Sequence, residues 1–216
     1  MSRPLRLFVE ATPKKAFVSA LDWPGLARGA KTDDLAIELL VAAMPRYAKV
    51  ARKAGERFDP TDQDIEVTSR REGDYGTAFG IPSLVAPEDR EPVDAREAKR
   101  LAAIVEASWA EFDRIAAGAP EALRKGPRGG GRDRSKIEEH VNGADAAYAT
   151  VLGLKHRSDT RAQVEALRAA VLATLREPSD GSPIAGKKWP ARYAARRIAW
   201  HALDHAWEIE DRSEPG

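Results

Sequence analysis

The chain contains no cysteine. No disulfide can form, and any thiol chemistry needs a thiol supplied from outside. Long apolar runs are also missing. Met1 to Glu10 has neither an extended apolar core nor a small-residue cleavage site, so neither a secretory signal nor a membrane span is expected. Nor is there an excess of charge: Lys+Arg number 35 against Asp+Glu 34. That balance leaves no global field for nucleic acid or an acidic membrane. A soluble cytoplasmic protein is the expectation these absences leave. Its 216 residues allow one large or two small domains.

What is present is concentrated near one end. Arg196 to Glu208 reads as a helix rich in alanine and leucine, with no Gly or Pro to interrupt it. His201 and His205 stand four apart and so share one helical face. Ile198, Ala199, Trp200, Ala202, Leu203, Ala206 and Trp207 surround them, which predicts a buried helix. Imidazoles aimed into an interior need partners there, and a metal ion suits such a pair.

The chain opens with alternating β-formers, Leu5 to Glu10, a turn at Thr12-Pro13-Lys14 and a returning strand, Ala16 to Leu21. Asp22-Trp23-Pro24-Gly25 and Gly29 read as loop. Thr32 is placed to cap an amphipathic helix, which Pro45 either kinks or ends. Asp64 to Thr68 alternates as a third strand, and Tyr75 to Phe79 reads as a fourth. The expectation over 1–80 is an α+β unit, ββαββ. It resembles the HicB-like domain of antitoxin proteins, on two short strands, Trp23-Pro24-Gly25, Gly29, Thr32 and a helix. That resemblance implies recognition of a partner; a structural cap over the larger part is the alternative.

Residues 81–92 are rich in proline and charge and read as a linker. From 93 to 216 four amphipathic helices are expected. The first is capped by Asp94 and carries Leu101, Val105, Trp109, Phe112 and Ile115. The second runs Ser135 to Leu152, the third is capped by Asp159, and the fourth starts at Pro190. Four such helices predict an all-α four-helix bundle. Before the second helix, Leu123 to Arg134 combines Gly129-Gly130-Gly131 with basic residues, and Ser135 and Glu138 have capping-box spacing. Arg128, Arg132 and Arg134 are candidates for binding an anion; a solvated loop is the alternative.

His156 falls in a polar turn. His140 lies early in the second helix, where it can face His201 and His205. Bundle cores build metal sites from facing helices, and three imidazoles leave coordination positions open. The alternative is three separately hydrogen-bonded histidines. Glu139-His140-Val141-Asn142-Gly143-Ala144, a long gap, and then His201-Ala202-Leu203-Asp204-His205 resemble the signature of the DinB/YfiT-like superfamily. Its actinobacterial branch includes the mycothiol-dependent maleylpyruvate isomerases. The resemblance covers about 93–212 and implies a bundle in which His140, His201 and His205 bind one divalent metal, zinc or nickel. It also implies hydrolase or transferase chemistry with a low-molecular-weight thiol. The extra N-terminal unit departs from the isomerase arrangement.

The residues support the same chemistry independently. A metal held by three neutral histidines keeps its double charge and lowers the pKa of bound water to about 7, and it can equally accept a thiolate. Asp204 and Glu208 can orient a histidine or act as a base; ion pairs with Arg197 or Arg212 are the other reading. Glu139 and Tyr148 are further candidate catalytic residues, with a core role open for Tyr148. The expected function is therefore thiol-dependent transfer or metal-assisted hydrolysis of a small anionic substrate. The alternative is a non-enzymatic, antitoxin-like binding protein. Exposed apolar faces on such a body would also allow a homodimer.

Overall fold

The computed structural model describes residues 4–59, 61, 64–126 and 130–213. Among them are a four-stranded mixed sheet and six α-helices. Strands β1 (Leu5–Ala11), β2 (Ala16–Ala20), β3 (Ala27–Ala30) and β4 (Ile65–Glu72) lie in the order β3-β2-β1-β4. β1 pairs antiparallel with β2 and parallel with β4. The parallel pairing needs a crossover, and helix α1 (Asp33–Lys53) lies between β3 and β4 in the chain. Thr32 caps α1 by accepting from the Leu35 amide. Pro45 sits inside α1 without ending it.

Two elements differ from the sequence expectation. The stretch read as loop contains β3, whose short ARGA run has almost no β-forming residue of its own. It is a strand because β2 supplies the partner, Val18 opposite Arg28. The expected fourth strand is instead a short helix, α2 (Tyr75–Phe79). Asp74 accepts from the Thr77 amide, the Thr77 hydroxyl accepts from the Asp74 amide, and Gly80 closes the helix at φ 97°. A reciprocal cap and a left-handed glycine define a helix start and stop. The sheet unit is thus βββαβα in chain order, not ββαββ.

The sheet is covered on both faces. Leu5, Leu7, Val9, Val18 and Ala20 face α1 residues Leu40, Met44 and Tyr47 in one continuous buried cluster. On the other face, Phe8 and Leu21 pack with Ala86, and Phe17 meets Trp200 edge-on at 5.4 Å.

The remaining helices are α3 (Ala95–Gly118), α4 (Arg134–Val151), α5 (Arg161–Leu175) and α6 (Ala191–Ser213). α3 packs on α6, α5 and α1; α4 packs on α6 and α5. Their starts shift slightly from expectation. Thr160, not Asp159, caps α5, in a box with Gln163. Pro190 stands just before α6 and accepts from the Ala194 amide. The capping box expected of Ser135 and Glu138 does not form, because the Ser135 hydroxyl donates to Glu121 at 2.6 Å.

Residues 81–92 form a packed strap between sheet and helices. Glu10 accepts from the Ser83 and Leu84 amides, each at 2.8 Å. Tyr193 donates to the Ser83 carbonyl at 2.9 Å. Asp89, within a short 3-10 turn, accepts from Arg196 at 2.9 and 2.5 Å, with both side chains buried. The Trp23-Pro24-Gly25 turn rests directly on α6. A Cβ at Gly25 would stand 2.7 Å from Leu203, and its φ of 94° disfavours any side chain.

Candidate metal centre

The site is built where α4 crosses α6. On α6, His201 and His205 share one face, with ring centroids 4.7 Å apart. His140 comes from α4, its ring 5.0 Å from His201 and 4.8 Å from His205. One ring nitrogen from each lies within 4.8 Å of the others. The three residues named from two distant segments therefore converge, while His156 is exposed.

The closest approach is between His140 Nε2 and His201 Nε2, at 3.2 Å. Two ligand nitrogens at about 2.0–2.1 Å from a tetrahedral metal stand roughly 3.3 Å apart. The spacing fits a shared ion as well as it fits a hydrogen bond between rings. His205 Nδ1 lies 2.8 Å from Glu208 Oε2. An ionised carboxylate only accepts, so Nδ1 donates and Nε2 is the nitrogen left to meet a metal. This bond to His205 is also the main reason the Glu208 pKa lies below its ordinary value. Arg212 donates to the other Glu208 oxygen at 2.7 Å. Glu208 thus orients the histidine and pairs with Arg212 at once.

Electrostatics favour the neutral, ligand-competent form of two of the imidazoles, His201 and His140. Burial drives the His201 pKa down to about 2, helped by His205, Arg197, His140 and Arg132. His140 is also lowered, mainly by burial. Tyr148 stands beside His201 with ring centroids 5.6 Å apart, and burial raises its pKa.

The other candidates scatter. Glu139 is exposed and ion-paired to Lys136 at 2.7 Å, on the outer side of α4. Asp204 is partly exposed and 3.9 Å from Arg28; desolvation raises its pKa against the pull of that arginine. It makes no hydrogen bond to a histidine among the described residues. Arg134 is spent on Glu121, Glu138 and the Ala116 carbonyl, so it acts as a staple, not an anion ligand. Arg132 is exposed, and its charge reaches His140 and His201. Arg128 lies outside the described residues.

The loop before α4 is tied to the end of α6. The Arg124 amide donates to the Arg212 carbonyl, and Arg212 Nε returns a bond to the Arg124 carbonyl at 2.8 Å. The sequence reading left Arg197 only as a partner for an acid. The structure buries it beside the centre, its guanidinium 5.4 Å from the Tyr148 ring centroid. Its i, i+4 spacing to His201 is the signal that could have placed it there. Among the described residues no helix is long and apolar enough to cross a membrane. Comparison with known proteins finds no matching family model, no matching curated protein and no matching solved structure.

Proposed function

We propose that the chain is a metal-dependent enzyme of the DinB/YfiT type, with α3 to α6 as its bundle and His140, His201 and His205 holding one divalent metal, zinc or nickel. It would act in the cytoplasm on a small anionic substrate, by thiol-dependent transfer or metal-assisted hydrolysis. The observation that carries this reading is the convergence of the three imidazoles, with ligand nitrogens within 4.8 Å of one another. Three neutral nitrogens and no thiolate suit a borderline cation and leave positions open for substrate. When bound, the ion supplies Lewis acidity to a water, a thiol or a substrate oxygen.

The chain's own residues supply the rest. Glu208 holds His205 in the tautomer that presents Nε2. Burial keeps His201 unprotonated near neutral pH. Tyr148 walls the site beside His201. The test is elemental analysis of protein purified without a histidine tag. Stoichiometric zinc or nickel is expected, and a His201→Ala/His205→Ala variant should lose it. Wild-type protein without metal, or a variant with unchanged metal, would overturn the proposal.

A further inference from the structure

The sheet has two edges, and they are finished differently. β3 closes one with four residues, the outer two of them buried, and α1 packs against it. β4 closes the other with eight residues, all exposed except the half-buried Ser69. Among the described residues no strand pairs with the outer side of β4. Its Ile65 and Val67 are 40 % and 41 % exposed. A long, open edge offers a row of unpaired amides and carbonyls to another strand.

The hydrogen bonds to β1 fix which of these groups are free. The Leu5 amide donates to the Asp64 carbonyl at 2.7 Å, and the Gly73 amide donates to the Ala11 carbonyl at 2.8 Å. Backbone direction alternates along a strand, so Asp64 and Glu66 turn their groups to β1, as do Ser69, Arg71 and Gly73. Thr68 is the extra residue of a bulge, since Leu7 stands opposite Val67 and Phe8 opposite Ser69. Ile65, Val67, Arg70 and Glu72 therefore turn their groups outward. The same four side chains lie on the α1 face, where Arg70 meets Asp33 at the start of α1. Glu66, Ser69 and Arg71 lie on the strap face, where Ser69 donates to Glu88 at 2.9 Å.

We propose that β4 is a homodimer interface, pairing antiparallel with β4 of a second copy about a two-fold axis at Ser69. That register sets Ile65 opposite Glu72 of the partner subunit, Glu66 opposite Arg71 of the partner subunit, and Val67 opposite Arg70 of the partner subunit. Every outward-facing residue then meets another, and side chains meet on the same face, as an antiparallel ladder requires. A two-fold contact also requires a surface complementary to itself. β4 meets that condition in charge: the Glu66–Arg71 pairing forms twice, once on each side of the axis, and no like charges stand opposite. Neither residue has an ion-pair partner of its own among the described residues. A strand of an unrelated protein would gain the backbone bonds but not this match, which singles out a second copy as the occupant. One strand from each copy is a small contact beside the roughly 1,200–2,000 Å² of a stable complex, so the dimer is reversible. The inference rests on neither the three histidines nor the activity proposed for them.

Sedimentation velocity of the full-length protein over a wide concentration range reads the dimer directly, with folding checked by circular dichroism. Wild type should pass from monomer to dimer as concentration rises. Glu66→Arg and Arg71→Glu should each weaken the dimer by about tenfold or more, by setting like charges opposite, and the double variant should restore it. Val67→Pro should abolish it and leave the fold intact, because the amide it removes points away from β1. Wild type that stays monomeric at every concentration would overturn the proposal and leave the edge to a strand of another protein. A dimer that survives in folded Val67→Pro, or that neither single charge variant weakens, would place the interface elsewhere and overturn it too. So would a double variant no better than the singles.

Discussion

A single carboxylate decides how His205 presents itself. Glu208 accepts a hydrogen bond from His205 Nδ1 and is itself held by Arg212. Groups that orient a ligand in this way typically contribute 10–100-fold to metal affinity. Glu208→Gln should therefore weaken zinc binding by about tenfold or more, measured by competition with a chromophoric chelator, while the protein stays folded. An unchanged affinity would make the Glu208 contact incidental. The histidines were legible in the sequence because four-residue spacing fixes a shared helical face. Glu139 was not, because a residue adjacent to His140 points about 100° away from it, and Lys136 holds it outward. The spacing of Arg197 to His201 was there to read, but its surroundings were not: whether an arginine has an acid opposite depends on which distant segment packs there.

Elements were most legible where local chemistry alone decides. Thr32 and Asp94 cap α1 and α3 as their positions suggest, since a side-chain oxygen before an apolar periodic run satisfies the first amides. β3 and α2 were not legible. The first takes its conformation from β2, and the second is too short for periodicity to separate helix from strand. Within α1, Pro45 forgoes one backbone bond at an exposed site. Pro45→Ala should stabilise the protein by about 1–2 kcal/mol, seen as a rise in urea midpoint. The strap carries the opposite kind of sensitivity. Asp89→Ala leaves Arg196 charged and buried, and should cost about 3–5 kcal/mol by the same measurement. Adding Arg196→Met should recover much of that loss, because the orphaned charge is then gone.

At the scale of the molecule, the buried cluster runs from Leu5 in β1 through α1 and α3 to Ile209 in α6 without a break. Glu10 is an acidic group buried at the junction. Desolvation pushes its pKa from 4.5 up to about 7, against the amides of Leu84 and Ser83. Folded protein then binds more protons than unfolded protein between those values, so this contribution to stability is complete below pH 4.5 and lost as pH rises through about 7. His201, held low, acts in the opposite sense below its ordinary value of 6.5, so the group must be isolated by difference. The stability of wild type relative to Glu10→Gln should fall by up to about 3 kcal/mol from pH 4.5 to 7, measured by denaturant titration at each pH. A flat difference would mean that Glu10 stays ionised throughout.

The place of α6 in the chain has a consequence for biosynthesis. The helix that closes the core beneath Gly25, packs along α3 and supplies Trp200 to the sheet leaves the ribosome after every element it packs on. Contacts between segments so far apart in sequence are slow to form and expose apolar surface while they wait. Nascent chains stalled before Ala191 should stay protease-sensitive and chaperone-bound along their whole length, and acquire resistance only once α6 has emerged.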